Sequence, residues 1–82
     1  MENLVFENNS MRVKVIASIG NNALLSRLND GSFIVVNGLN VKYDLTCDWN
    51  FSYGYFTSYD KAYQCFVEKI VKPFIEYESE VA

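Results

Sequence analysis

Asp44, Asp48 and Asp60 are the carboxylates that flank the aromatic centre of this chain. Paired carboxylates in a pocket that separates their pKa values are the basis of acid–base catalysis. The spacing of Asp44 and Asp48 places both on one face of an extended strand and does no more than that. Asp60 follows Thr57 by three residues, the pattern of a helix start in which the Thr57 hydroxyl caps the free N–H of Asp60. The chain has two cysteines, Cys47 and Cys65, and no histidine. Neither thiol has the imidazole of a Cys–His nucleophile, and two cysteines fall short of a four-ligand structural zinc site. Ser58 and Lys61 resemble half of a Ser–Lys arrangement, but capping is sufficient to explain Ser58. Gly31, Gly38 and Gly54 each stand alone, so there is no glycine-rich phosphate loop. These residues point away from an enzyme, with no catalytic residue, metal or cofactor expected.

Recognition is the chemistry they favour instead. In Asp48-Trp49-Asn50-Phe51-Ser52-Tyr53-Gly54-Tyr55-Phe56 the aromatics Trp49, Phe51, Tyr53 and Tyr55 recur at every second residue. An extended chain places all four on one face and Asn50, Ser52 and Gly54 on the other. Such a face serves as core against a helix or as contact surface, since Trp and Tyr give large contact area at small entropic cost. A split is expected, with Trp49 and Phe56 inward and Tyr53 and Tyr55 more exposed. Asp44 and Asp48 would give this surface an acidic rim. Gly54 reads as a bend or bulge ahead of the helix.

The elements that position this segment follow from periodicity. Residues 1–10 form a short strand or a flexible arm around Leu4-Val5-Phe6. Met11, Val13, Val15, Ala17 and Ile19 alternate along a half-buried strand that Ile16 interrupts. Gly20-Asn21-Asn22 is a turn. Residues 23–28 have helix propensity, but the segment is short for a helix and a strand is favoured. Asn29-Asp30-Gly31 closes it as a three-residue hairpin loop with Gly31 in the left-handed position. Phe33-Ile34-Val35-Val36, the Asn37-Gly38 turn and an alternating strand from Leu39 to Cys47 read as a two-residue hairpin, with Val36 opposite Leu39 and Ile34 opposite Val41. Phe33 and Val35 then lie on the far face, open for contact. From Ser58 a helix carries Ala62, Phe66 and Ile70 on its apolar stripe and ends or kinks near Pro73. Residues 76–82 read as a frayed acidic tail. The fold class is α+β: an antiparallel meander of three to five strands packed against one long C-terminal helix.

Composition bounds the role further. The 82 residues make one small domain, 1–82, of which half are hydrophobic and 16% aromatic. Domains of this size leave much apolar surface outside the core, so self-association or a partner is expected. The net charge of −3, with seven dispersed basic residues, argues against direct nucleic-acid binding, which needs clustered Lys and Arg. No apolar run approaches the roughly 18–20 residues that span a bilayer, and no secretory leader is recognisable. Free thiols then fit a cytoplasmic protein.

Residues 31–66 resemble a pattern of small bacteriophage and mobile-element proteins. It comprises Asp30-Gly31 before a short strand (Ser32 to Val36), a second strand, Trp49 with Gly54-Tyr55-Phe56, and a helix with Ala62 and Phe66. Such proteins include anti-CRISPR proteins and other inhibitors of host defence that bind a protein surface. The resemblance implies a non-enzymatic binder in the cytoplasm of a bacterial host and transfers no functional residue. The reading is therefore a protein-binding module using Trp49, Phe51, Tyr53, Tyr55, Asp44 and Asp48, with a partner of basic surface favoured by the acidic rim. The alternatives are a self-assembling homodimer and a small-ligand sensor domain.

Overall fold

The computed structural model describes the backbone of residues 4–81 and the side chains of residues 4–72. Five strands form one antiparallel sheet in the order β1 (Val5–Asn8), β2 (Met11–Ile19), β3 (Asn22–Arg27), β4 (Ser32–Asn37) and β7 (Phe51–Phe56). Two short strands, β5 (Asn40–Val41) and β6 (Cys47–Asp48), pair with each other. Helix α1 spans Tyr59–Val81. This is the α+β architecture expected, a meander packed with one C-terminal helix.

The hairpin turns follow local chemistry. Asn8 pairs with Met11 and Ile19 with Asn22, so Asn9-Ser10 and Gly20-Asn21 are two-residue loops. Asn9 and Gly20 both have the positive φ that such turns require. Residues 22–27 are a central strand, because length and flanking turns outweigh their helix propensity. The loop after it is one residue longer than expected: Arg27 pairs with Ser32, and the Gly31 amide donates to the Arg27 carbonyl at 2.9 Å. Gly31 does take the left-handed conformation, φ 74°.

The sheet is covered on both faces. On one, Ala62 and Phe66 of α1 bury Leu24 and Val35, with Ile16, Ala17, Phe33, Tyr53 and Phe56 around them. On the other, Cys47, Leu39, Val41 and Trp49 cover Phe6, Val13, Val15, Leu25, Ile34 and Val36. Fully burying one of these Leu, Ile or Val side chains contributes about 1.5–3 kcal/mol. Phe33 and Val35, expected on an open face, thus lie beneath the helix, and Val35 is fully buried. The helix chose that side, while the segment after β4 covered the other.

That segment is where the chain departs most from its local pattern. No hairpin joins Val36 to Leu39. β4 pairs instead with β7, Phe33 opposite Phe56 and Ile34 opposite Tyr55, a longer ladder than Asn40–Val41 could supply. Gly38, at φ 77°, donates its amide to the Asn21 carbonyl at 2.7 Å, and Asn50 returns to donate to the Asn37 carbonyl at 2.9 Å. The strand expected from Leu39 to Cys47 is broken at its middle, where Asp44 accepts hydrogen bonds from the Thr46 hydroxyl at 2.6 Å and amide at 3.1 Å. Such a local bond competes with a ladder. The strap ends against β1: Glu7 N–H donates to the Leu45 carbonyl at 2.9 Å, and the Asn8 amide group donates to the Cys47 carbonyl at 2.9 Å. Gly38→Ala should therefore cost about 2 kcal/mol. The left-handed backbone penalises any Cβ, and that Cβ would overlap the Asn50 side chain. A chemical-denaturation midpoint equal to that of the parent would contradict this.

Two bulges reset the faces. In β2, Val15 pairs with Leu25 and Ala17 with Leu24, leaving Ile16 as the extra residue. Ala17 consequently joins the helix side rather than the face of Val13 and Val15. At the start of α1 the Ala62 amide bonds the Ser58 carbonyl at 3.1 Å. Ser58, not Thr57, thus holds the N-cap position. Pro73 does not end α1, whose backbone runs on to Val81. Proline removes one ladder bond, and helix-forming residues on both sides carry the helix past that loss. Of the tail expected to fray, the backbone of 76–81 is helical, and its side chains and Ala82 lie outside the described residues.

Candidate functional site

β7 is the edge of the sheet and carries the aromatic segment. A bulge at Tyr53 places Gly54 opposite Val35 and Ser52 opposite Val36. Directly paired residues share a face. Ser52 and Tyr55 therefore lie on the side of Val36 and Ile34, the side covered by the β5–β6 strap. Phe51, Tyr53 and Phe56 lie on the helix side. This one extra residue turns Tyr55 away from Phe51 and Tyr53, and Trp49, ahead of β7, lies on the strap side as well, so the four aromatics expected on one face are split. Trp49 packs against the strap-side core. Phe51 and Tyr53 form an edge-to-face pair with centroids 5.2 Å apart on the other side. Tyr55 stands out at 57% exposure and Phe51 at 52%.

Tyr53 is more constrained than its neighbours. Its hydroxyl donates to Asn22 Oδ1 at 2.7 Å and accepts from Asn37 Nδ2 at 3.1 Å. The Lys69 ammonium sits 5.1 Å from its ring centroid, within cation–π range. Phe56 packs inward and its ring lies across Gly54, where a Cβ would meet it at 3.1 Å. Tyr53 is thus half-buried and structural, whereas Tyr55 has its ring free.

The carboxylates do not rim this strand. Asp44 and Asp48 belong to the strap, Asp48 Oδ2 lying 3.5 Å from Lys42 Nζ. The hydrogen bonds from Thr46, hydroxyl first, hold the Asp44 carboxyl below the ordinary carboxylate range, and bonds from Ser32 do the same for Asp30. A carboxyl depressed on folding contributes stability above its unfolded pKa, about 3.9 for Asp, and loses it as pH falls through its folded value. The melting temperature should fall between about pH 5 and pH 2. It should fall less steeply in a double variant Asp30→Asn, Asp44→Asn, and identical slopes would contradict this account.

Cys47 and Cys65 are both free and belong to opposite faces of the sheet. Burial pushes both thiols up from their ordinary pKa, which disfavours the nucleophilic thiolate. Among the described residues no three His, Cys, Asp or Glu side chains are grouped to hold a metal, and no helix is long and apolar enough to cross a membrane.

Two further surfaces were not legible in the sequence. Tyr59 and Tyr63 stack at 5.9 Å along one flank of α1, with Phe33 edge-on to Tyr59 at 5.5 Å. At the strap tip, Leu4, Phe6, Val41, Lys42, Tyr43 and Leu45 line an open cleft of about 500 Å³. Tyr43 there is fully exposed. Leu45 has a left-handed backbone, φ 65°, and no residue pattern announces a Leu in that conformation.

β7 differs from both in offering backbone as well as side chains. The opposite edge, β1, is bridged by the strap at Glu7, through Leu45 and Thr46. β7 has a neighbouring strand on one side only among the described residues, and Phe51 to Phe56 contains no charge and no proline. Lysine, proline and inward charges are the usual guards of a free edge; here only the bulge is present. The fold and this edge define a strapped, helix-covered α+β sheet domain with one open strand. No protein-family model matches the chain, and no curated protein or solved structure is significantly similar to it.

Proposed function

We propose that this chain is a non-enzymatic protein-recognition domain that presents β7 to another protein. The observation that carries the reading is the open, uncharged, aromatic edge in a sheet whose other edge is bridged by the strap and whose two faces are covered. An added strand takes affinity from main-chain hydrogen bonds and specificity from alternate side chains. Tyr55 and Phe51 are the exposed anchors on the two sides of that strand. The biological setting we propose is that of a phage-type inhibitor in the bacterial cytoplasm, covering a surface of a host defence protein. The resemblance of residues 31–66 to such proteins supports this, and the net charge of −3 favours a basic partner surface through long-range steering.

Tyr55→Lys tests the reading with little risk to the core, because the Tyr55 ring is mostly in solvent. A charge at a free edge opposes strand addition. The variant should unfold within about 0.5 kcal/mol of the parent, as surface substitutions do, and should lose at least tenfold in capture of a bacterial partner. Equal capture by parent and variant would reject β7 as the binding edge.

A further inference from the structure

We infer that β7 pairs with β7 of a second copy of this chain, antiparallel across a two-fold axis between Tyr53 and Gly54. The inference rests on the reading of β7 as the binding edge and names its occupant in the protein on its own; a second copy and another protein compete for the same strand. In this register Phe51 faces Phe56 of the second copy, Ser52 faces Tyr55, and Tyr53 faces Gly54.

Three observations make that arrangement self-complementary. First, the faces agree. Without the bulge, Phe51 and Phe56, five residues apart, would point to opposite sides. With Tyr53 as the extra residue both lie on the helix side, opposite Asn37 and Phe33, while Ser52 and Tyr55 both lie on the strap side, opposite Val36 and Ile34. Every pair across the axis therefore has both members on one face, as cross-strand packing requires.

Second, the sizes agree. The small Ser52 lies opposite the exposed Tyr55 ring, and Gly54, with no side chain, lies opposite Tyr53, whose ring leans inward to Asn37 and Asn22 of its own sheet. Third, the charges agree. No charged residue occurs from Trp49 to Tyr59, and the flanking Asp48 and Asp60 fall opposite positions 59 and 47 of the second copy, so no carboxylate faces another. Lys69 is already seated over the Tyr53 ring of its own chain. The product is a continuous ten-stranded sheet with no open aromatic edge, the closed two-fold symmetry that homodimers favour.

A charge-swap pair tests the register. One variant carries Ser52→Lys and Tyr55→Lys, the other Ser52→Glu and Tyr55→Glu. Native mass spectrometry and sedimentation should show the parent at twice its 9.4 kDa chain mass and each variant alone as a monomer. An equimolar mixture should restore a dimer of mixed mass, since residue 52 then meets the opposite charge at residue 55. A folded parent that stays monomeric at every concentration overturns the proposal, as do variants that remain dimeric alone or a mixture that stays monomeric. Should either double variant fail to fold, Tyr55→Lys alone decides, with dimer loss expected and an unchanged dimer contradicting the proposal. Partner capture by the parent but not by Tyr55→Lys would still support β7 as a recognition edge if self-pairing fails, so the two readings fall separately.

Discussion

Replacing Phe66 with alanine should remove about 3–5 kcal/mol of stability, the range for truncating a buried phenylalanine. Phe66 is buried and, with Ala62, is the helix's contribution to the cluster containing Leu24 and Val35. Beneath it, Leu24 and Val35 are held by the sheet ladder on either side. A domain of this length has a reserve of about 4–12 kcal/mol, taking roughly 0.05–0.15 per residue. The loss is therefore a large share of the whole, and the melting temperature should fall by about 15 °C or more. Calorimetry or denaturant titration reads it directly. A loss below about 1 kcal/mol would mean that α1 does not lie on this sheet face.

Val35→Asp should have the larger effect still. Val35 sits at zero exposure between β3 and β7, pairing with Leu24 and Gly54. An aspartate there is buried among the apolar side chains of its cluster, and a buried charge costs several kcal/mol beyond the lost packing. The sum meets or exceeds the reserve, so the variant should show no cooperative unfolding transition at 25 °C. Were Val35 on an open face, the same change would cost no more than about 0.5 kcal/mol. Far-ultraviolet dichroism with a urea titration separates these outcomes without ambiguity, and a parent-like midpoint would overturn the assignment of faces.

Those faces show where local sequence information stops. The strands themselves were legible: Met11–Ile19 and Phe33–Val36 alternate or branch at the β-carbon, and the turns between them carry Gly and Asn. Residues 22–27 were decidable by length alone. Side assignment was not, because a single extra residue inverts every side chain beyond it. Ile16 was visible as an interruption in the pattern, and the bulge lies there. Gly54 marked a bend or bulge and the bulge lies beside it at Tyr53, but the aromatic alternation gave no sign that it would turn one face into two.

Partner choice was equally hidden. Asn37-Gly38 is a strong local hairpin signal, yet the neighbour of β4 is decided by competition between strands far apart in sequence. The six-residue β7 won over the two-residue β5. The open edge followed from that outcome, as did the removal of Asp44 and Asp48 to the strap. Tyr55 was legible as an exposed aromatic; that Phe51 rather than Tyr53 is exposed with it, on the other side of a free strand, was not.

The central claim is that β7, not the strap cleft or the tyrosine flank of α1, receives another chain. Residue-resolved amide hydrogen exchange tests it most directly, comparing the protein at high dilution with the same protein in its bound state, self-paired or with a captured partner. The account predicts slowed exchange confined to amides within Phe51–Phe56, with Val5–Asn8 of β1, at the far edge of the sheet, unchanged. Protection that appears instead around Tyr59 and Tyr63, or at Leu4, Tyr43 and Leu45, with β7 unaltered, would contradict it.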